Sequence, residues 1–139
     1  MLFRSDSVDT VTDGVAQAMS GAGTGRDRLT AAVRYYFDAV DRADHGFRLI
    51  FETDFTRDPD VQTRVNSLIA GLARLVGHEI TESTGMPTNQ ANLLGAGLCG
   101  MAQAAAFRWI RLGRPVSIDE AVASVSDLGW FGLSSLPAE

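Results

Sequence analysis

Two histidines and one cysteine are the side chains in this sequence of 139 residues best suited to hold a metal or attack an electrophile. Helical proteins that hold paired metals do so through Glu-x-x-His, and neither His45 nor His78 has a Glu three residues before it. His45 follows Asp41 by one helical turn, which suits a histidine near a helix C-terminus interacting with the dipole and with Asp41. His78-Glu79 falls near the end of a long helix and reads as solvated or locally paired, with contact to a ligand as the alternative for His78. Cys99 lies among Leu98, Gly100 and Met101 with no His nearby, the setting of a buried small hydrophobe. Serines and threonines fall at helix ends, so no nucleophile with its base and orienting acid can be assembled. Gly21-Ala22-Gly23-Thr24-Gly25 lacks the spacing and the preceding strand of a phosphate loop, and a sequence without Lys cannot supply Gly-Lys-Ser/Thr. No catalytic residue, metal site or cofactor is expected.

The large apolar side chains carry more information. Tyr36, Phe37, Phe47, Phe51, Phe55, Met101 and Trp109 sit on faces that converge on one interior. Each alone is explained by core packing. Together they can line an apolar cavity in which Tyr36, Arg48 or His78 orients a ligand. The residues expected to bind it are Tyr36, Phe37, Phe47, Phe51, Leu72 and Met101.

Six helical segments position these residues, and there is almost no strand signal. Val8, Val11, Val15, Ala18 and Met19 form a stripe opposite Asp6, Asp9 and Asp13. After a glycine-rich break, Thr24 and Asp27 resemble a helix start, and Leu29, Val33, Tyr36, Phe37 and Val40 share the next apolar face up to Asp44-His45-Gly46. A short piece follows over 47–55. Asp58-Pro59 then opens a long helix to about Ser83, with Val61, Val65, Leu68, Leu72, Leu75 and Val76 on one side. Gly85-Met86-Pro87 closes it, and Thr88 is placed to cap the next.

The fifth helix, about Asn89 to Leu112, has a bulky stripe of Leu94, Leu98, Met101, Ala105, Trp109 and Leu112 and a flatter apolar flank of Leu93, Ala96, Gly97, Gly100, Ala104 and Phe107. A helix apolar most of the way round needs cover most of the way round, and a small subunit supplies little of it, so a partner chain is expected. Gly113-Arg114-Pro115 ends this helix, and Ser117-Ile118-Asp119-Glu120 is a capping-box sequence for the last. There Ile118, Val122, Val125, Gly129 and Leu133 face the core, whereas Phe131 falls with Glu120, Ser124 and Asp127 on the other side, a further sign of an intermolecular surface.

Composition narrows the class. With 45% hydrophobic residues the chain suits one compact domain, all-α, an antiparallel bundle of about six helices spanning 1–139. A net charge of −5, from 17 acidic and 12 basic residues, argues against a free-standing nucleic-acid binder. The single cysteine forms no internal disulfide, and Met1-Leu2-Phe3-Arg4-Ser5-Asp6 lacks the apolar stretch of a signal peptide, so a cytoplasmic location is expected. No formal charge occurs between Glu82 and Arg108, but the apolar part, Leu93 to Ala106, is about 14 residues or roughly 21 Å of helix, short of a span of roughly 30 Å.

The stretch Phe47-Arg48-Leu49-Ile50-Phe51-Glu52-Thr53-Asp54, followed by Asp58-Pro59 and a long helix, resembles the regulatory domain of TetR-family transcriptional regulators of actinobacterial type. So do Gly100-Met101-Ala102-Gln103-Ala104-Ala105-Ala106 with Trp109, then Gly113-Arg114-Pro115-Val116, Glu120-Ala121 and Asp127-Leu128-Gly129-Trp130-Phe131-Gly132-Leu133. Nearly the whole chain is covered, and order and spacing carry the likeness because each motif is degenerate.

The resemblance implies a helical effector-binding domain whose last two long helices pair with those of a second subunit as a four-helix bundle. Leu94, Gly97, Leu98, Gly100, Ala104, Phe107, Val125, Leu128 and Phe131 are then the expected homodimer contacts, with Leu98 and Met101 able to serve either the interface or the cavity. The family's N-terminal helix-turn-helix unit has no counterpart here, and Met1-Leu2-Phe3-Arg4 resembles the passage out of that unit. The implied function is to sense a small hydrophobic molecule and so control DNA binding by the missing unit, with no direct DNA or membrane binding by this segment. The alternatives are a ligand-independent helical module that pairs with a full-length regulator and, behind it, a small helical-bundle enzyme.

Overall fold

The structure is a computed structural model and describes residues 5–42 and 59–132. These residues form five helices and no strand: α1 (Ser5–Ser20), α2 (Gly25–Arg42), α3 (Pro59–Thr84), α4 (Thr88–Arg111) and α5 (Ile118–Phe131). The expected short piece over 47–55, with Phe47, Arg48, Phe51 and Phe55, lies outside the described residues, as do His45, Asp58 and Leu133. The side chains of Asp6, Val8, Asp9, Val61 and Val65 lie outside them too.

Where the chain turns, local chemistry accounts for it. The Asp27 N–H donates to Thr24 Oγ1 at 3.1 Å, satisfying one orphan amide at the start of α2. Ser117 and Glu120 form a full capping box at the start of α5. At the end of α4 the Gly113 N–H donates to the Ile110 carbonyl and the Arg114 N–H to that of Trp109, a Schellman pair that requires the positive φ of 78° at Gly113. One cap differs from expectation. Pro87, not Thr88, is the N-cap of α4 and offers no side-chain bond, because Thr88 is already helical.

One core runs through the described helices. Val11, Val15 and Met19 of α1 meet Val33, Tyr36, Phe37 and Val40 of α2, Leu68 and Leu72 of α3, Ala106 and Trp109 of α4, and Val122 of α5. Phe37, 1% exposed, packs edge-on against Trp109 with ring centroids 5.8 Å apart. The Trp109 indole Nε1–H donates to the Val116 carbonyl at 2.8 Å, which fixes the turn between α4 and α5 to the core.

The most extensive packing joins α3 and α4. The sequence shows α4 apolar on several sides without marking an inner face; the buried residues are Ala91, Gly95, Ala102, Ala106 and Trp109. Small residues let two backbones approach: a Cβ at Gly95 would lie 2.5 Å from the Ala73 carbonyl oxygen. Turning this line inward displaces Leu94 and Leu112 to exposed positions. At 24 residues, Thr88–Arg111, α4 extends beyond the apolar part Leu93 to Ala106 at both ends and is long and apolar enough to cross a bilayer by length and composition alone.

Three charge pairs tie α2 to α5 and the turn before it. Arg26 meets Asp127 at 3.0 Å, Arg34 meets Asp119 at 2.8 Å, and Asp41 meets Arg114 at 2.6 Å. The order on α5 is the reverse of that on α2, so the two helices run antiparallel. Asp41 accepts from Arg114, whose guanidinium also lies 5.4 Å from the Trp109 ring centroid, while its expected partner His45 lies outside the described residues.

Candidate ligand groove

The bulky residues that α4 turns away from α3 line an apolar groove of about 490 Å³. Its wall draws on every described helix: Met19 of α1, Leu29 and Ala32 of α2, Val76 and Ile80 of α3, Leu94, Leu98 and Met101 of α4, and Gly129 and Trp130 of α5. Such a volume lies within the range of sites for small organic ligands, which are mostly apolar with a few placed polar groups. Here the polar groups cluster at one end, where Glu79, Ser83 and Thr84 line the last turns of α3.

Trp130 forms part of the mouth. Its indole edge packs so closely on Gly25 that a Cβ there would come within 3.2 Å of the ring, and the side chain remains 45% exposed. Arg26 holds the neighbouring turn, pairing with Asp127 and lying 4.6 Å from the Phe131 ring centroid. Three residues after Gly25 on α2, Arg28 Nη1 donates to Glu79 Oε2 at 2.6 Å and its Nε to the Ala22 carbonyl at 3.4 Å. The loop between α1 and α2 is thereby bound to α3.

Beneath the groove lies a second, much smaller cavity of about 40 Å³, bounded by Val15, Val33, Tyr36, Leu72, Cys99 and Ala102. Leu29, Ala32, Val76 and Leu98 line both spaces. Burial raises the Tyr36 hydroxyl well above its ordinary pKa, with a smaller contribution from Cys99. The Cys99 thiol is pushed up to about 11 by burial, so it is a neutral thiol at physiological pH and a poor nucleophile.

Of the residues expected to bind a ligand, Met101 lines the groove, Tyr36 and Leu72 line the small cavity, and Phe37 packs in the core against Trp109. Phe47 and Phe51 lie outside the described residues. His78 is exposed and lines neither space, whereas its neighbour Glu79 does. The residues expected at a subunit interface divide. Leu94, Gly97 and Leu98 line the groove, Gly100 and Ala104 are exposed on α4, Phe107, Val125 and Leu128 are half-buried, and Phe131 is exposed.

Residues that sequence reasoning missed are Met19, Leu29, Ile80, Ser83, Met86 and Trp130. Ile80 and Ser83 continue the face of Leu72 and Val76 at helical spacing, a signal that was available. Trp130 gives none, because its approach to Gly25 joins residues far apart in the chain.

Fold and site together define an all-helical protein with an apolar interhelical groove, and among the described residues no group of three or more His, Cys, Asp or Glu is placed to hold a metal. No protein-family model matches the chain. Over 130 residues, 94% of its length, the chain is 32% identical to the HTH-type transcriptional activator FasR of Mycolicibacterium smegmatis. The match spans 59% of that relative. This likeness supports a place among transcription regulators.

Proposed function

We propose that the chain is the effector-binding and dimerisation part of a TetR-like transcription regulator, acting in the cytoplasm and without catalytic activity. The observation that carries this reading is the groove, whose apolar wall is built from α1 to α5 in a chain similar to a transcriptional activator. A small hydrophobic molecule in the groove contacts α2, α3, α4 and α5 at once, so its differential affinity for two arrangements of these helices shifts their populations. Such a shift, passed to a second subunit, changes the separation of DNA-reading units in a regulator that carries them. DNA contact then belongs to those units and not to this acidic segment.

The second copy is proposed to sit on the outer face of α4. Leu93, Gly97, Gly100 and Ala104 recur there at helical spacing and are exposed, beside the exposed Phe131 of α5. The same face favours a second reading, a helical module that pairs with a full-length regulator and takes no ligand. Thermal unfolding with a panel of hydrophobic compounds separates the two, since a ligand taken up only by the folded state raises Tm. A rise with some members of the panel supports the sensing role; no rise with any of them leaves the pairing role.

A further inference from the structure

We propose that the groove selects a small molecule with an apolar body and a protonated amine head, seated between Glu79 and the last turn of α3; this rests on the groove's being a ligand site. Glu79 is the one charged residue among the described residues lining it, and its side chain is 20% exposed. Only Oε2 is engaged, by Arg28, and Oε1 accepts no hydrogen bond among the described residues. The remaining acceptor is a charged oxygen beside apolar wall, where it attracts a cation more strongly than in bulk water.

A second observation has the same sign. Ser83 and Thr84, which line the same end, are the final residues of α3, where a helix presents unpaired carbonyls and the negative end of its dipole. No basic residue lies in that last turn, and Glu82 adds a negative charge to it. Of the late carbonyls Thr81 is satisfied by Gly85 N–H and Ile80 also by the Thr84 hydroxyl, while none of the described side chains donates to those of Glu82, Ser83 and Thr84.

The opposing charges nearby among the described residues are already engaged. The start of α2 reaches this end at Gly25, but Asp27 in its first turn and the Thr24 hydroxyl answer its amides. Arg26 is paired with Asp127 and Arg28 with Glu79. Among the described residues an anionic head would therefore meet a carboxylate and a helix C-terminus with no uncommitted cation beside them. An amine finds both as acceptors, in a chain whose net charge of −5 also favours cations at long range.

Isothermal titration calorimetry of the 139-residue chain with n-octylamine, n-octanol and octanoate at one pH and ionic strength tests this. The amine is expected to bind at least about tenfold more tightly than octanoate. Glu79→Gln should reduce the amine to the affinity of the alcohol. Arg28→Gln, which releases Oε2, should widen the preference for the amine and provides the test if Glu79→Gln does not fold by circular dichroism. Octanoate binding as tightly as the amine, or a preference unmoved by either substitution, overturns the proposal while leaving the groove a ligand site. No binding by any of the three, with no rise in Tm across the hydrophobic panel, removes the ligand site itself.

Discussion

Trp130 packs against Gly25, the first residue of α2, so closely that a methyl group at Gly25 would stand 3.2 Å from the indole. The contact spans more than a hundred residues of sequence and closes one side of the groove. Trp109 is 6% exposed and Trp130 is 45% exposed, so the two indoles report on different surroundings. A ligand entering the groove should shift the fluorescence emission to the blue, and Trp130→Phe should abolish the shift. A shift of the same size in that variant would place the ligand elsewhere.

The close crossing of α3 and α4 makes Gly95 intolerant of even one methyl group. Gly95→Ala brings a Cβ to 2.5 Å from the Ala73 carbonyl and 3.0 Å from the Gly77 nitrogen, neither of which can rotate away. Overpacking of this kind should lower stability by about 2 kcal/mol in urea unfolding.

Ser126 is 3% exposed, and its hydroxyl has no hydrogen-bond partner among the described residues. Alanine fits the same space without a stranded polar atom and favours the helix. Ser126→Ala should raise stability by about 1 kcal/mol, read as an increase in the urea midpoint at unchanged slope.

Cys99 gives stability a dependence on alkaline pH. Its thiol is raised from 9.0 to about 11 in the folded chain, so the folded state holds the proton more tightly than the unfolded one. Stability from this source is complete below pH 9 and falls as pH rises from there towards 11. Tyr36, raised for the same reason, acts in the same direction. Urea midpoints at increasing pH should decline over this interval, and Cys99→Ala should decline less.

Ala104 tests the proposed outer face of α4. It is exposed and surrounded on its helix by Gly97, Gly100 and Phe107, so Ala104→Arg places a charge where a second copy is proposed to sit. Light scattering should show the parent chain as a dimer and the variant as a monomer. A variant of undiminished mass would move the interface to another face.

Helix ends were the most legible part of this sequence, because their chemistry is local. Thr24 with Asp27, Ser117 with Glu120, and Gly113 before Pro115 each announce a boundary through groups a few residues apart. The faces of α1 and α2 were equally readable, since Val11, Val15, Val33 and Val40 alternate with charged positions. On α4 that contrast vanishes. Apolar residues on several sides mark no inner face, and the close approach of α3 selects the line of small residues. The groove was legible at Met101 and, as one of two readings, at Leu98, but no further, because residues as distant as Met19, Ile80 and Trp130 become neighbours through tertiary packing alone.

The three charge pairs between α2 and α5 act less as glue than as a key. Exposed pairs add little net stability, and salt weakens them further. Their spacing is uneven, however, with eight and seven residues between partners on α2 matched by eight and five on the other side. Sliding α5 by one turn along α2 breaks all three, since Arg26 then faces the neighbourhood of Ala123 and Arg34 that of Pro115. The helix that carries Trp130 and Phe131 thus has one address along α2, and both the groove mouth and the exposed aromatic face inherit that alignment.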